Sequence, residues 1–138
     1  MSIEYKINAL VSTDQFIKLL HESTLAERRP IDDQECIEGM ISNSNLMVTA
    51  WHSNQLVGIA RSMTDFHYAC YLSDLAVHKS HQQKGIGKKL QAITQKQLGP
   101  KCKLILIAAP AANSYYEHIG FVNNQRCWVL DREQEISS

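Results

Sequence analysis

In the stretch HQQKGIGKKL, His81 to Leu90, two glycines one residue apart are surrounded by Lys84, Lys88 and Lys89. The unpaired N–H groups in the first turn of a helix, at the positive end of its dipole, attract anions. Glycine lets a bulky anion such as a pyrophosphate approach the backbone with no Cβ in the way. Gly85 and Gly87 fit that chemistry, and they equally fit a plain tight turn from strand to helix. Two familiar phosphate loops fail on inspection. No GxxxxGK is followed by Ser or Thr, and Leu90 stands where a dinucleotide fingerprint needs a third small residue. Neither ATP nor NAD is supported. His78 and His81 lie three apart just before the glycines, but a metal pair would require further ligands close in space. Cys36, Cys70, Cys102 and Cys127 form no CxxC pair. No metal is expected, and the cysteines read as reduced and mostly buried.

The elements that must position this loop follow from pattern. Ile3, Tyr5 and Ile7 alternate as a half-buried strand does. Ser12-Thr13-Asp14 can cap a helix whose apolar face is Phe16, Ile17, Leu19 and Leu20, and Asp32 or Asp33 a second helix through Ile37, Met40 and Ile41. Leu46 to Trp51 and Leu56 to Met63 read as strands joined by a hairpin at Ser53-Asn54, and Tyr68 to Val77 as the next strand. Ile86, Leu90 and Ile93 recur on one helical face, closed by Gly99-Pro100. Leu104 to Ala109 is a continuous apolar run suited to a central strand. Pro110 can open a helix over Ala111 to His118 that ends at Gly120. Phe121-Val122 and Cys127 to Leu130 supply the last strands. The expected order is β-α-α-β-β-β-α-β-α-β-β, a mixed α/β or α+β fold with one sheet and helices packed on it.

A chain of 138 residues fits one domain with a real core. Its 14 Lys plus Arg balance 14 Asp plus Glu, which argues against nucleic acid as the main partner. The longest apolar run is far short of a membrane span, and no basic region followed by an apolar run marks a secretory signal, so a cytoplasmic protein is expected.

The segment YLSDLAVHKSHQQKGIGKKL, Tyr71 to Leu90, resembles the acetyl-CoA-binding motif of the GNAT N-acetyltransferase superfamily, with Gln82, Gly85 and Gly87 at its signature positions. Downstream, NSYYEHIGF, Asn113 to Phe121, is similar to the family's N-x-x-x-Y-x-x-x-G-F region, with one residue fewer between Asn and Tyr. The resemblance implies a single N-acetyltransferase domain over residues 1–138 with a cofactor-binding core at about 70–122. It also implies a mostly antiparallel mixed sheet whose central strands splay, and dimers are frequent in the family.

By the same resemblance, the backbone of Leu75, Ala76 and Val77 would pair with the pantetheine arm of acetyl-CoA, as an added strand pairs with a sheet edge. The segment Gln82, Gln83, Lys84, Gly85, Ile86, Gly87 and Lys88 would cradle the pyrophosphate. Tyr116 matches the tyrosine that protonates the leaving thiolate, a role open to a phenol of pKa about 10; an ordinary interface tyrosine is the other reading. Asn113 would contact the cofactor or cap its helix. The carboxylate that serves several members as general base has no counterpart near Tyr71. Asp74 is the nearest candidate, as a base or as the partner of a backbone group or lysine. A lysine-like amine of pKa about 10.4 is neutral in roughly one molecule in 2,500 at pH 7, an α-amine of pKa about 7.8 in roughly one in seven. A missing base therefore leans toward a weakly basic amine, or toward proton removal through water by a backbone carbonyl. Glu27, Arg28, Arg29 and Arg61 lie where acceptors are selected in the family, as recognition groups or as ordinary ion pairs. The function expected is acetyl transfer from acetyl-CoA to a primary amine by direct attack; the alternative is a non-catalytic acyl-CoA sensor, which would not need Tyr116.

Overall fold

In the computed structural model, which describes residues 2–137, strand β1 (Glu4–Ile7) leads into helix α1 (Thr13–Ser23) through a reciprocal capping box. Ser12 Oγ accepts from Gln15 N at 3.0 Å, and Gln15 Oε1 accepts from Ser12 N at 2.9 Å, which satisfies two otherwise orphaned donors. A single 3₁₀ turn at Leu25–Arg28 follows, then α2 (Gln34–Ser42), capped by Asp33 on Cys36 N. Strands β2 (Leu46–His52) and β3 (Gln55–Thr64) meet at Ser53 and Asn54, whose φ values of 48° and 66° are those of a two-residue primed turn. The turn into β4 (Ala69–Val77) is organised by Asp65, whose Oδ1 accepts from the backbone of His67, Tyr68 and Ala69. These bonds hold the Asp65 carboxyl down to about 2. Helix α3 (Ile86–Lys96) and β5 (Lys103–Leu106) complete this part.

The sheet order is β1-β2-β3-β4-β5, antiparallel except for the parallel β4–β5 pair. Both faces are covered, which explains why β2 is buried from Leu46 to Trp51 instead of alternating. Met47 and Trp51 pack with Phe16, Leu20 and Ile37 on the α1–α2 side. Leu46, Val48 and Ala50 pack with Ile86 and Leu90 of α3 on the other. Gly58 lets α3 lie close to the sheet, because a Cβ there would stand 3.1 Å from Leu90 Cδ1 and 3.2 Å from Ile86 Cγ2.

The chain divides into two compact units, 1–107 and 108–138. The second holds a 3₁₀ turn at Pro110–Ala112 and helix α4 (Asn113–His118), closed by Gly120. Three expectations are corrected. The cysteines are not mostly buried: Cys70 is buried, Cys102 half-buried, and Cys36 and Cys127 exposed on surface segments. The fifth strand lies at the edge of the sheet with Ile105 exposed, not at its centre, and it ends at Leu106 instead of Ala109, because its pairing with β4 stops at Leu72↔Leu106 and a strand without a ladder is not held. No strand forms over 121–130 among the described residues; Val122, Trp128 and Val129 are exposed around a turn at Asn124, whose side chain accepts from Arg126 N.

Candidate active site

The sheet opens where the glycine loop begins. Beyond Leu72, β4 runs on through Ser73 to Val77 with β3 on one edge and, among the described residues, no strand on the other. That is five residues of open strand edge, about 17 Å at the usual rise. A β-bulge sits at the point of divergence: Arg61 faces Asp74 while Ser62 faces Leu72, so Ser73 is the extra residue. The bulge changes which face each side chain takes. Leu72 packs toward α3, whereas Asp74 and Ala76 point to the α1–α2 side and Leu75 and Val77 return to α3. Leu75, Ala76 and Val77, the residues expected to meet pantetheine, all lie on the open segment.

After β4, a 3₁₀ turn at Lys79–His81 leads to Gln82, whose side-chain amide donates to Val77 O at 2.9 Å and folds the loop back on the strand end. Gln83 and Gly85 both have positive φ, 62° and 80°. Gly85 is the N-cap of α3, no side chain caps that helix, and the first helical bond runs from Lys89 N to Gly85 O. The N–H groups of Ile86, Gly87 and Lys88 therefore face outward without a side-chain acceptor at the positive end of an eleven-residue helix. Gln82, Gln83, Lys84, Gly85 and Lys88 are exposed. The two glycines differ in role: Gly85 is required by its left-handed backbone, while a Cβ at Gly87 would make only ordinary contact with Val77 at 3.7 Å.

Histidines border the loop. His78 pairs with Glu22 of α1, and His81 is buried against His52 and His78 with ring centroids 5.4 and 5.5 Å away. Burial lowers the pKa of His81, helped by Lys84, His78 and His52, so the ring is held neutral. Among the described residues no cluster of His, Cys, Asp or Glu has the form of a metal site.

Asp74 is fully buried, and both carboxylate oxygens accept from guanidinium groups: Oδ1 from Arg29 Nε and Oδ2 from Arg61 Nε. The expectation that Asp74 takes a proton from an amine is corrected on this geometry, since a base must reach the amine directly or through water and Asp74 is closed to both. Arg61, only 4% exposed, also donates to Met40 O, Ser44 Oγ and Ser73 Oγ. Arg29 also donates to Arg28 O and Ser73 O. Of the residues expected to select an acceptor, Arg29 and Arg61 come together on Asp74, whereas Glu27 and Arg28 are exposed on the 3₁₀ turn. The triad was missed as a unit in sequence. Its signal was present: an acid inside YLSDLAV and a cation inside VGIARSM must each find a partner, and the adjacent strands supply it.

In the second unit Tyr116 is half-buried, its ring edge-on to Tyr115 and Phe121 at centroid distances of 5.2 and 5.5 Å. Burial, then Tyr115, push the Tyr116 phenol up, so it stays protonated at neutral pH. Asn113 begins α4 and is exposed.

The first unit thus brings an open strand edge, Ser73 to Val77, and the uncapped N-terminus of α3 to the two ends of one loop. The comparisons give the family. A model of the "Acetyltransferase (GNAT) domain" matches residues 20–129, and the chain belongs to the GNAT acetyltransferase family. It is 25% identical over 126 residues to the uncharacterized N-acetyltransferase ycf52 of Gracilaria tenuistipitata var. liui, covering 86% of this chain and 69% of that protein. A ycf52-like N-acetyltransferase of Prochlorococcus marinus is 29% identical, over 76% of this chain and 60% of that one. The fold is shared with a GNAT family acetyltransferase of Streptococcus pneumoniae (TM-score 0.76, 20% identity, 96% of this chain and 100% of that). It is shared also with the ribosomal-protein-alanine N-acetyltransferase of Brucella melitensis (TM-score 0.71, 20% identity, 94% and 99%).

Proposed function

We propose that the protein is an acetyl-CoA-dependent N-acetyltransferase that moves an acetyl group to a primary amine by direct attack in a ternary complex, with residues 1–138 acting as one catalytic domain. The observation that carries this reading is the unpaired β4 edge, Ser73 to Val77, leading directly into the uncapped N-terminus of α3. The pyrophosphate binds the N–H groups after Gly85, with Lys84 and Lys88 adding charge, and the pantetheine amides complete the ladder that β5 leaves open along Leu75, Ala76 and Val77.

In the reaction the amine nitrogen attacks the thioester carbonyl, the C–S bond breaks, and the thiolate takes up a proton. Tyr116 supplies that proton, and its raised pKa keeps the phenol loaded. Asn113 contacts the cofactor. With Asp74 held by two arginines, the proton on the attacking nitrogen leaves to solvent through a water that a backbone carbonyl can hold, and a weakly basic amine, of which a larger fraction is neutral, is favoured. The four free cysteines fit a reducing compartment such as the cytoplasm. Substituting Tyr116 with Phe tests the assignment: turnover falls about a hundredfold or more while acetyl-CoA affinity stays within about twofold, as loss of a general acid requires. Unchanged turnover would remove Tyr116 from the mechanism, and binding without turnover of any amine in the parent would favour a sensor.

A further inference from the structure

The buried triad has a charge that does not cancel. Asp74 contributes one negative charge, Arg29 and Arg61 two positive ones, and among the described residues neither arginine forms an ion pair with any other carboxylate. The remaining acceptors are neutral: Met40 O, Ser44 Oγ, Met63 Sδ and Ser73 Oγ for Arg61, Arg28 O and Ser73 O for Arg29. Glu27 and Arg28 on the adjoining turn are both exposed and offset one another. Arg29 is the outward member, with 21% of its side chain open against 5% for Arg61. Three of its five N–H groups are engaged, on Asp74, Arg28 O and Ser73 O, which leaves two donors free.

The position of this charge matters because both arginines hold Ser73, one through the backbone carbonyl and one through the hydroxyl. An arm that starts at the loop after Val77 and runs back along the open edge ends where β4 and β5 rejoin, at Ser73 and Leu72. An acceptor amine must come to that end. Resting on the acetyltransferase reading, we propose that Arg29 is a specificity residue that binds an anionic group on the acceptor, so that the substrate class is amino carboxylates and not polycationic amines. Asp74 and Arg61 are positioning residues that hold Arg29 and the Ser73 bulge. A fixed guanidinium with two free N–H groups matches a carboxylate in geometry and charge, and an unbalanced positive charge opposes a second cation.

The test is calorimetric titration of the full chain, saturated with coenzyme A, with three dipeptides whose α-amines are weakly basic, glycylglycine, alanylglycine and alanylalanine, each beside its neutral amide, and with spermidine. At least one amino carboxylate is expected to bind about tenfold tighter than its amide, the scale of a charge-assisted hydrogen bond, and spermidine weakest. Arg29→Met should bring the carboxylate-to-amide ratio to about one with acetyl-CoA affinity unchanged, and Arg29→Lys should keep part of the preference. Equal binding of all three acids and their amides, tightest binding of spermidine, or equal weakening of acid and amide by Arg29→Met would overturn the proposal. Failure of coenzyme A itself to bind would instead count against the acetyltransferase reading, and the same ratios taken without coenzyme A still decide the anion preference.

Discussion

Replacing Asp74 with Asn removes one charge and almost no volume, and it leaves Arg29 and Arg61 facing an amide that can no longer neutralise them. Arg61 is 4% exposed and cannot turn to water. Breaking a buried pair from one side costs about 3–5 kcal/mol, because the surviving charge keeps its desolvation penalty. For 138 residues the unfolding entropy near the midpoint is about 290 cal/mol/K, so each kcal/mol lowers Tm by about 3.5 °C. The expected fall is about 10–17 °C, a large share of the 5–15 kcal/mol typical of a domain. Urea titration followed by Trp51 fluorescence, together with calorimetry, reads the effect, and the m-value should not change. Converting all three residues to apolar ones of similar volume should recover much of the loss, since a buried triad is roughly neutral against well-packed hydrophobes. A D74N variant within about 1 kcal/mol of the parent would refute the reasoning, because it would mean that water reaches the guanidinium groups.

Gly85→Ala places a Cβ in open space but on a backbone with φ of 80°, and it should cost about 1–2 kcal/mol in urea denaturation with no change in core packing. Asp65 has a depressed folded pKa of about 2 against 3.8 when free, so its contribution to stability is present above about pH 4 and lost as pH falls through 2. The stability gap between parent and Asp65→Ala, measured from pH 6 to pH 2, should therefore narrow at the acid end, and a constant gap would contradict the assignment. Burial pushes the Cys70 thiol up, so a disulfide reagent at pH 7.5 should titrate Cys36 and Cys127 quickly and Cys70 only on unfolding.

What was legible in the sequence was local. The Ser12 cap, the Ser53-Asn54 turn, Gly85 before α3 and the extent of β2 each follow from residues within one turn or one strand of each other. The Ser73 bulge was not legible, since it depends on the register between β3 and β4, and nothing in YLSDLAV marks which residue is extra. Without the register, Asp74 reads as a free carboxylate beside a cofactor instead of the centre of an ion triad. Over 121–130 the β-branched and aromatic residues read as strand, but propensity alone does not create a ladder partner. The extent of LILIAA failed for the same reason: apolar character persists to Ala109, while pairing ends at Leu106.

The most direct test of the central claim is calorimetric titration of the full chain with acetyl-CoA, beside a Gly85→Glu variant of confirmed fold. Gly85 has open space around it, so the added side chain meets no clash and sets a negative charge beside the N–H groups proposed to bind the pyrophosphate. Binding in the micromolar range by the parent and its loss in the variant is the predicted result. No binding by folded parent protein, or equal binding by both, would contradict the assignment of the β4 edge and the α3 N-terminus as the coenzyme A site.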